Sequence, residues 1–283
     1  MSPRCITMSE FVELYSESRR NDRQGKDNSK TVVVPEIPKI NTHADQRKSG
    51  NKSTATTSPK KKQQSSYIVN PLTGKTILIN GKAYYRLINE YKLSVPMILG
   101  EENILISCSS QLNISDTYVV LDIETTGLSK YDELTVGCIY SSIENKYWYF
   151  SKDNLPDLFI YLRGKLIIGH NISKFDVPFL EKYGFDRKSC KLFDIMSYLL
   201  DRVGRQFKLN DLCMLNLGIG KIGTGEEAVT LYYSGRIEEL VEYCRTDVEM
   251  THQLFIYGRT NKVIRCTERL WCTSWYHETN TSE

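Results

Sequence analysis

Two acids stand one residue apart in the stretch Val119-Val120-Leu121-Asp122-Ile123-Glu124, which ends an apolar run and precedes Thr125-Thr126-Gly127-Leu128. An apolar run bounded by such a turn is typical of a buried strand, in which Asp122 and Glu124 share one face. Buried carboxylates need a compensating charge. Carboxylate oxygens without a nearby His or Cys favour Mg²⁺ or Mn²⁺ over zinc. Acids at a strand end can instead cap a turn, so this pair alone leaves both interpretations open.

Two further clusters carry acids at positions that could meet the first pair. The segment His170-Asn171-Ile172-Ser173-Lys174-Phe175-Asp176 follows an apolar strand, and Asp176 falls in the first turn of the next predicted helix. An acid there could also serve only the helix dipole. Tyr243 and Asp247 lie four residues apart, hence on one side of a long amphipathic helix. Both could face the edge of the sheet.

The three clusters together resemble the sequence blocks of the DnaQ-like 3′-to-5′ exonucleases, in the same order. DIETTGL resembles the first block, HNISKFD the second and YCRTD the third. Tyr243, four residues before Asp247, matches the tyrosine branch, DEDDy, whereas the histidine branch would need His where Glu242 stands. The resemblance covers about residues 118 to 257. Within it, LNDL, GIGKIGTGEEAV and EYCRTDVEMTHQLF look closest to the YprB-like group, some of whose members occur beside helicases.

The resemblance implies a metal-dependent 3′-to-5′ exonuclease that releases nucleoside 5′-monophosphates. Two divalent ions, Mg²⁺ or Mn²⁺, would be held by Asp122, Glu124, Asp176 and Asp247, with Asp122 between them and Asp176 acting mostly through water. Tyr243 would orient the attacking water rather than act as a base, since a free tyrosine has a pKa near 10.

Supporting roles are implied for residues beside these acids. The terminal nucleotide would contact Thr125, Leu128, Asn171 and Phe175. Asp194, in LFDIMSYL, matches an acid that the superfamily often carries after its last strand, and we expect it to support the site structurally.

Three alternatives remain open at this stage. A ribonuclease of the same fold would use the same acids, because a 2′-hydroxyl is recognised elsewhere. A non-catalytic nucleic-acid tether would keep the fold as a scaffold, but the retained acids and Tyr243 argue against it. An endonuclease of the wider ribonuclease H class is disfavoured by the Tyr243 and Asp247 pair on a C-terminal helix.

The pattern around these acids predicts a mixed α/β sheet of the ribonuclease H type. Three antiparallel strands are expected at 118–124, 134–141 and 146–150, followed by parallel strands at 166–169 and 191–193. Helices are expected at 154–162, 175–182, 195–202, 209–217, 226–233 and 237–257. We place the exonuclease domain at 112–260 and a C-terminal extension at 261–283, which could add an edge strand or a hairpin.

The N-terminal part differs in composition. Residues 1–18 contain a candidate docking helix, with Ser9 as a plausible N-cap. Residues 19–65 are predicted to be a disordered basic linker, because residues 19–62 hold twelve Lys or Arg against four acids and few apolar side chains. Residues 66–98 form a small module in which NPLTGK and GKAYYRLI resemble the NPxTGR and GxxYxxL adaptor modules of large DNA viruses. Tyr84, Tyr85, Arg86, Tyr91 and Lys92 are either a core stripe or a binding face there.

Length and composition set wider limits on the chain. With 283 residues and 40% hydrophobic residues, it can bury one full domain and a smaller unit. Eight cysteines without a CxxC pattern suit reduced thiols, so we expect an intracellular protein, in the cytoplasm, the nucleus or viral replication sites. No apolar run is long enough to span a membrane. The expected partners are nucleic acid with a free 3′ end and a separate polymerase or helicase, since no polymerase motif occurs; the oligomeric state is left open.

Overall fold

The computed structural model describes residues 6–24, 67–106, 117–129, 131–221 and 223–275. Its helices are α1 (Met8–Gln24), α2 (Lys82–Asn89), α3 (Val95–Leu99), α4 (Leu155–Leu162), α5 (Asp176–Glu181), α6 (Ile195–Val203), α7 (Leu209–Leu217), α8 (Gly225–Tyr233) and α9 (Ile237–Asn261). Its strands are β1 (Tyr67–Val69), β2 (Thr76–Leu78), β3 (Ile104–Ile106), β4 (Tyr118–Thr125), β5 (Leu134–Ser141), β6 (Lys146–Phe150), β7 (Leu166–Gly169), β8 (Lys191–Asp194), β9 (Val263–Arg265) and β10 (Leu270–Thr273).

The central sheet has the strand order β6-β5-β4-β7-β8. β4, β5 and β6 pair antiparallel, and β7 and β8 continue the sheet parallel to β4. This arrangement confirms the predicted ribonuclease H-like fold. The parallel strands need crossover helices, which is why α4 separates β6 from β7 and α5 separates β7 from β8.

Helices cover the sheet on both faces. Val119, Leu121 and Ile123 point into one hydrophobic core together with residues of α4 and α5. Val120 lies in the other core, which includes Leu240 and other buried residues of α9. Because side chains alternate along a strand, Asp122 and Glu124 belong to the α9 face. The fold therefore turns the paired acids toward the helix that carries Tyr243 and Asp247.

The small N-terminal module is a hairpin followed by two short helices. The side chain of Asn70 accepts hydrogen bonds from the backbone N–H of Leu72 (2.9 Å) and of Thr73 (3.2 Å), which fixes the turn between β1 and β2. On α2, Tyr84 is buried and Tyr85 is exposed. The predicted aromatic stripe is therefore partly a core element, while Tyr85 is left at the surface.

The N-terminal helix corrects two boundaries. α1 runs from Met8 to Gln24, so residues 19–24 are helical rather than part of a disordered linker; residues 25–65 lie outside the described part. Its start is capped by Thr7 and Glu10 instead of Ser9, with the Thr7 N–H donating to Glu10 Oε2 at 2.8 Å. Phe11 is buried beside Tyr149 of β6, so α1 lies against its own chain.

The C-terminal extension completes a second sheet. β10 pairs antiparallel with β9 and parallel with β3, giving the order β3-β10-β9. Trp275 is buried against α9, and its indole N–H donates to the carbonyl of Phe255 at 2.8 Å. Residues 263–275 thus attach both to the end of the long helix and to the segment that follows the small module.

Two further properties of the described residues bear on the sequence-based expectations. All six cysteines in this part of the chain are free thiols. None of its helices combines the length and the apolar content that crossing a bilayer would require.

Candidate metal and active site

The site begins where β4 extends beyond the end of its parallel neighbour, β7. β4 pairs with β5 from Val119 to Thr125, but with β7 only from Tyr118 to Val120. From Leu121 onward, the β7 side of β4 is therefore open, and Asp122 and Glu124 stand at this opening. Their side chains are half-buried. The strand itself keeps its direction, because Leu121 and Ile123 are held in the opposite core.

Asp176 closes part of this opening. It is the first residue of α5, is buried, and accepts a hydrogen bond from the backbone N–H of Ile123 at 3.1 Å. This N–H belongs to the part of β4 that has no partner in β7. The turn between β7 and α5 is tight, with Asn171 at a φ of 69°. The second sequence block is thus bonded directly to the first.

α9 supplies the third block from above the sheet. The Cys244 thiol donates to the backbone carbonyl of Asp122 at 3.5 Å, so this turn of the helix rests on β4. Tyr243 and Asp247 are both buried beside it. Cys244 Sγ also lies within 4.8 Å of ligand oxygens of Asp122 and Glu124. Burial raises the pKa of the thiol well above its ordinary value, so without a metal ion Cys244 is protonated and packs against β4.

Lys221 is a member of the site that the sequence reasoning missed. It follows α7 in the segment Gly218-Ile219-Gly220-Lys221, and its backbone N–H donates to the side chain of Asn210 at 2.8 Å. Its ammonium forms an ion pair with Asp247 Oδ2. The signal was a single lysine within a glycine-rich loop before a helix start, a pattern that does not say where the side chain will point.

The electrostatics show how strongly the cluster needs positive charge. Burial and the neighbouring carboxylates raise the pKa of Asp122 well above its ordinary range. Burial and Asp247 raise the pKa of Glu124 to about 8, and burial raises that of Asp176 to about 7. For Asp247, burial raises the pKa against the opposing effect of Lys221. Lys221 opposes these shifts at Asp122, Glu124 and Asp247, but one ammonium does not balance four carboxyls.

The donor set fits divalent metal ions. Four carboxyl groups converge, and the buried Oδ1 of Asp247 has no hydrogen-bond partner among the described residues. Hard oxygen donors of this kind suit Mg²⁺ or Mn²⁺. Asp122, Glu124, Asp176 and Asp247 are the residues that would hold the ions.

A cavity of about 770 Å³ opens over these carboxyls. Thr125, Leu128, Asn171 and Phe175, the predicted contacts of a terminal nucleotide, all line it. Leu128 is 88% exposed and so stands at the rim, where an apolar side chain is available to a ligand. The remaining lining residues include Asp122, Glu124, His170, Asp176, Lys221, Thr224, Glu226, Val229, Tyr243 and Asp247.

Asp194 lies behind the cavity and not in its lining. One of its carboxylate oxygens accepts from the Asn171 N–H at 2.9 Å, and the other accepts from the Ser173 N–H at 3.1 Å. The same carboxylate caps α6 through the N–H groups of Met196 and Ser197. Asp194 therefore ties the turn that carries Asn171 to the start of α6.

Comparison with known proteins gives a family but no curated relative. No curated protein shows significant similarity to the chain. Among solved structures, Brucella melitensis NrnC bound to pGG is similar with 22% identity and a TM-score of 0.36, over 55% of this chain and 78% of that one. The same nuclease with bound Mg²⁺ has 20% identity and a TM-score of 0.35, over 54% and 77% of the two chains.

The family assignment comes from a sequence model described as 3′-5′ exonuclease, which matches residues 97–257. This range contains β4, α5 and most of α9, and therefore the four carboxyls Asp122, Glu124, Asp176 and Asp247. The acidic cluster agrees with the divalent metal ions that such exonucleases use. The chain belongs to the 3′-5′ exonuclease family and is a metal-dependent hydrolase of nucleic acid.

Proposed function

We propose that the protein removes nucleotides one at a time from 3′ ends of DNA, at single-stranded or frayed ends, and releases nucleoside 5′-monophosphates. The observation that carries this proposal is the convergence of four carboxyls and Tyr243 on one open cavity at the free edge of β4. An open cavity admits a chain end, and the rim residue Leu128 lies beside it.

Each of the four acids that would hold the ions is kept in position by its surroundings. Asp122 and Glu124 project from a strand whose other face is fixed in a core, so their separation is rigid. Asp176 is oriented by the Ile123 N–H, and Asp247 by its ion pair with Lys221. Two divalent cations held there would supply the charge that activates water and stabilises the attacking and leaving oxygens. A ligand set that is fixed before binding limits the reorganisation needed during reaction.

Tyr243 is proposed to position the attacking water. Burial and the nearby Asp247 raise the pKa of its phenol above the ordinary value, with Lys221 opposing them. The hydroxyl therefore stays protonated at neutral pH and acts through hydrogen bonds, not as a base. This proposed role is the one expected of the tyrosine branch, DEDDy, of the DnaQ-like exonucleases.

The terminal nucleotide is proposed to lie along the cavity wall opposite α9. Phe175 and Leu128 offer apolar surface to the base, while Thr125 and Asn171 offer polar groups. The Thr125 hydroxyl donates to the carbonyl of Gly127 at 2.6 Å, which fixes this rim. None of these residues separates DNA from RNA by itself, so an exoribonuclease is the alternative that the assay must decide.

The organisation around the exonuclease domain is part of the same proposal. We assign 112–260 to the YprB-like exonuclease unit, 66–98 to the NPxTG-type adaptor module, and 261–283 to an extension that braces α9. A polymerase or helicase is the proposed partner, inside a cell or at viral replication sites. The adaptor resemblance supports this setting, because such modules occur in large DNA viruses.

A ladder assay tests the proposal. Single-stranded and duplex DNA and RNA, each labelled at the 5′ end and carrying a free or blocked 3′ end, are incubated with Mg²⁺, Mn²⁺ or EDTA. Stepwise shortening of DNA from free 3′ ends that EDTA abolishes is the expected result. Shortening of RNA alone would make the enzyme an exoribonuclease. Products from strands with blocked 3′ ends would indicate an endonuclease, and no products under any condition would favour a tether.

A further inference from the structure

The small N-terminal module presents an apolar face that its own core does not use. Tyr67 pairs opposite Leu78 and Val69 opposite Thr76 in the hairpin, so these side chains share one side of the two strands. Tyr67, Val69 and Leu78 are exposed by 63%, 60% and 41%. We call Tyr67, Val69 and Leu78 the tyrosine face; Tyr85 of α2 is a second exposed ring of the same module.

The module that carries this face is basic. Residues 67–93 contain Lys75, Lys82, Arg86 and Lys92, all exposed, and one acid, Glu90. Glu90 is already paired with Arg86 at 2.6 Å. Lys82 lies three residues before Tyr85 on α2, and therefore on the same side of the helix. Exposed aromatic rings near Lys75, Lys82 and Lys92, which have no ion-pair partner among the described residues, suit a polyanion with flat bases better than an apolar protein surface.

A physical connection runs from the module to the catalytic cavity. Arg205 Nη1 lies 3.5 Å from the position that a Cβ would take at Gly74, next to Lys75. The hydroxyl of Tyr91 is 3.6 Å from the equivalent position at Gly204. The module therefore rests on the turn that follows α6.

The same turn reaches the cavity wall. The carbonyl of Phe207 is hydrogen-bonded to His170 Nε2 at 2.9 Å, and His170 lines the cavity. Arg205 and Lys208, which flank Phe207, are exposed. Exposed basic side chains therefore lie both on the turn beside the cavity and on the module that rests on this turn, where they could contact phosphates.

We propose that the tyrosine face binds the unpaired strand of the substrate upstream of the 3′ end held in the cavity. The occupant is single-stranded nucleic acid, recognised by stacking on Tyr67 and Tyr85 and by phosphate contacts to Lys75, Lys82 and Arg205. This proposal rests on the proposed exonuclease function and extends it from the terminal nucleotide to a longer strand. Stacking is insensitive to base identity, so the face would bind the strand without sequence preference.

The test compares two substrates on the full chain. A dinucleotide reaches only the cavity, whereas a strand of roughly 20 nucleotides exceeds the sites of about 4 to 16 nucleotides typical of single-strand-binding folds. Substituting Tyr67→Ala together with Tyr85→Ala should lower kcat/KM on the long strand about 5- to 100-fold, the loss expected for one or two stacked bases. The dinucleotide rate should not change. Lys82→Glu should also lower kcat/KM on the long strand, and this loss should become larger as the salt concentration falls.

A matched control removes charge far from this path. Lys146 is exposed at the start of β6, opposite Ser141 and so at the sheet edge away from the acids, and Lys146→Glu should leave both rates unchanged. Thermal unfolding checks that each variant is folded. Equal rates of wild type and double variant on the long strand would overturn the proposal and leave the face to a protein partner. A parallel loss on both substrates would overturn it as well.

Binding without catalysis separates this proposal from the function on which it rests. Fluorescence anisotropy of a labelled single strand in EDTA measures binding without catalysis, because stacking and lysine contacts need no metal. The difference between wild type and the double variant then reports the contribution of Tyr67 and Tyr85. If the wild type cleaves nothing but binds the strand, and the double variant does not, the exonuclease assignment fails and the face stands. If both proteins bind equally, the face fails whatever the activity.

Discussion

The strand side and the helix side of the catalytic cavity are built in different ways. On β4, Asp122 and Glu124 make no ion pair within the described part of the chain, and burial raises their pKa values even though Lys221 is near enough to oppose the shift. On α9, Asp247 has a lysine of its own chain, Lys221, as an ion-pair partner. The internal cation thus contacts the helix side directly, whereas the strand side feels it only at a distance and is left largely for external cations to neutralise.

The difference shows what each half is suited for. Unpaired carboxyls on a rigid strand bind a divalent ion at the cost of repulsion in its absence. A paired carboxyl on a helix is held in place before any ion arrives. Lys221 thereby keeps Asp247 aimed at the cavity while occupying only one of its oxygens, since Oδ1 has no hydrogen-bond partner among the described residues.

The largest effect is expected from the strand side. Asp122→Asn removes a central metal ligand without changing its volume, so turnover should fall by more than the roughly 100-fold typical of losing a residue that only supports a ligand. Circular dichroism should show an intact fold. The ladder assay measures the rate at saturating Mg²⁺. An unchanged rate with normal metal dependence would contradict the assignment of β4 as the metal-binding side.

A smaller effect is expected from the helix side at Tyr243. Tyr243→Phe keeps the ring that packs on the cavity but removes the hydroxyl, and kcat should fall about 100-fold, as for loss of a group that positions a proton-transfer step. The Mg²⁺ concentration for half-maximal activity should stay unchanged. If that concentration rises instead, Tyr243 contributes to metal binding and its positioning role is wrong.

Lys221 offers a way to make the two sides alike. Lys221→Met removes the internal cation, so the site becomes more negative and should bind Mg²⁺ about tenfold more tightly, the equivalent of about 1.4 kcal/mol. The half-maximal Mg²⁺ concentration reports this change. Lys221→Arg keeps the charge and serves as the control. Weaker Mg²⁺ binding by the Met variant would show that Lys221 orients Asp247 more than it competes with the ions.

The smallest effect concerns stability without metal. Glu124 keeps its proton to about pH 8 in the folded protein, against 4.5 for an ordinary glutamate, so the unfolded chain loses this proton first. In EDTA, the free energy of unfolding should therefore fall as pH rises from 4.5 to 8, by about 1 kcal/mol once solvent screening is considered. Melting curves at several pH values measure it. Mg²⁺ should flatten the trend, and a rise in stability with pH in EDTA would contradict the raised pKa.

The sequence predicted those parts of the fold that are marked by a local periodic pattern of apolar residues. β5, β6, β7 and α7 have the predicted bounds, because alternating or helical apolar patterns mark both their faces and their ends. The resemblance to the exonuclease blocks also implied that Asp122 and Asp247 share one site, and both line the same cavity.

Features that depend on distant partners could not be predicted in this way. The pairing of β3 with β10 joins short segments at opposite ends of the domain, and neither has a strong strand pattern of its own. Lys221 lies in a glycine-rich loop, where local sequence does not fix the direction of a side chain. The docking of α1 beside Tyr149 likewise follows from the tertiary surface and not from the helix itself.

The parallel pairing of β3 with β10 also affects how the chain matures on the ribosome. β3 is synthesised before any catalytic residue, and its partner only after all of them. A nascent chain that already contains Asp247 therefore still lacks β10, the strand that pairs with both β3 and β9. It also lacks Trp275, which packs against α9. Because such long-range pairing forms late, the final closure of this enzyme is expected after its last strand has left the exit tunnel.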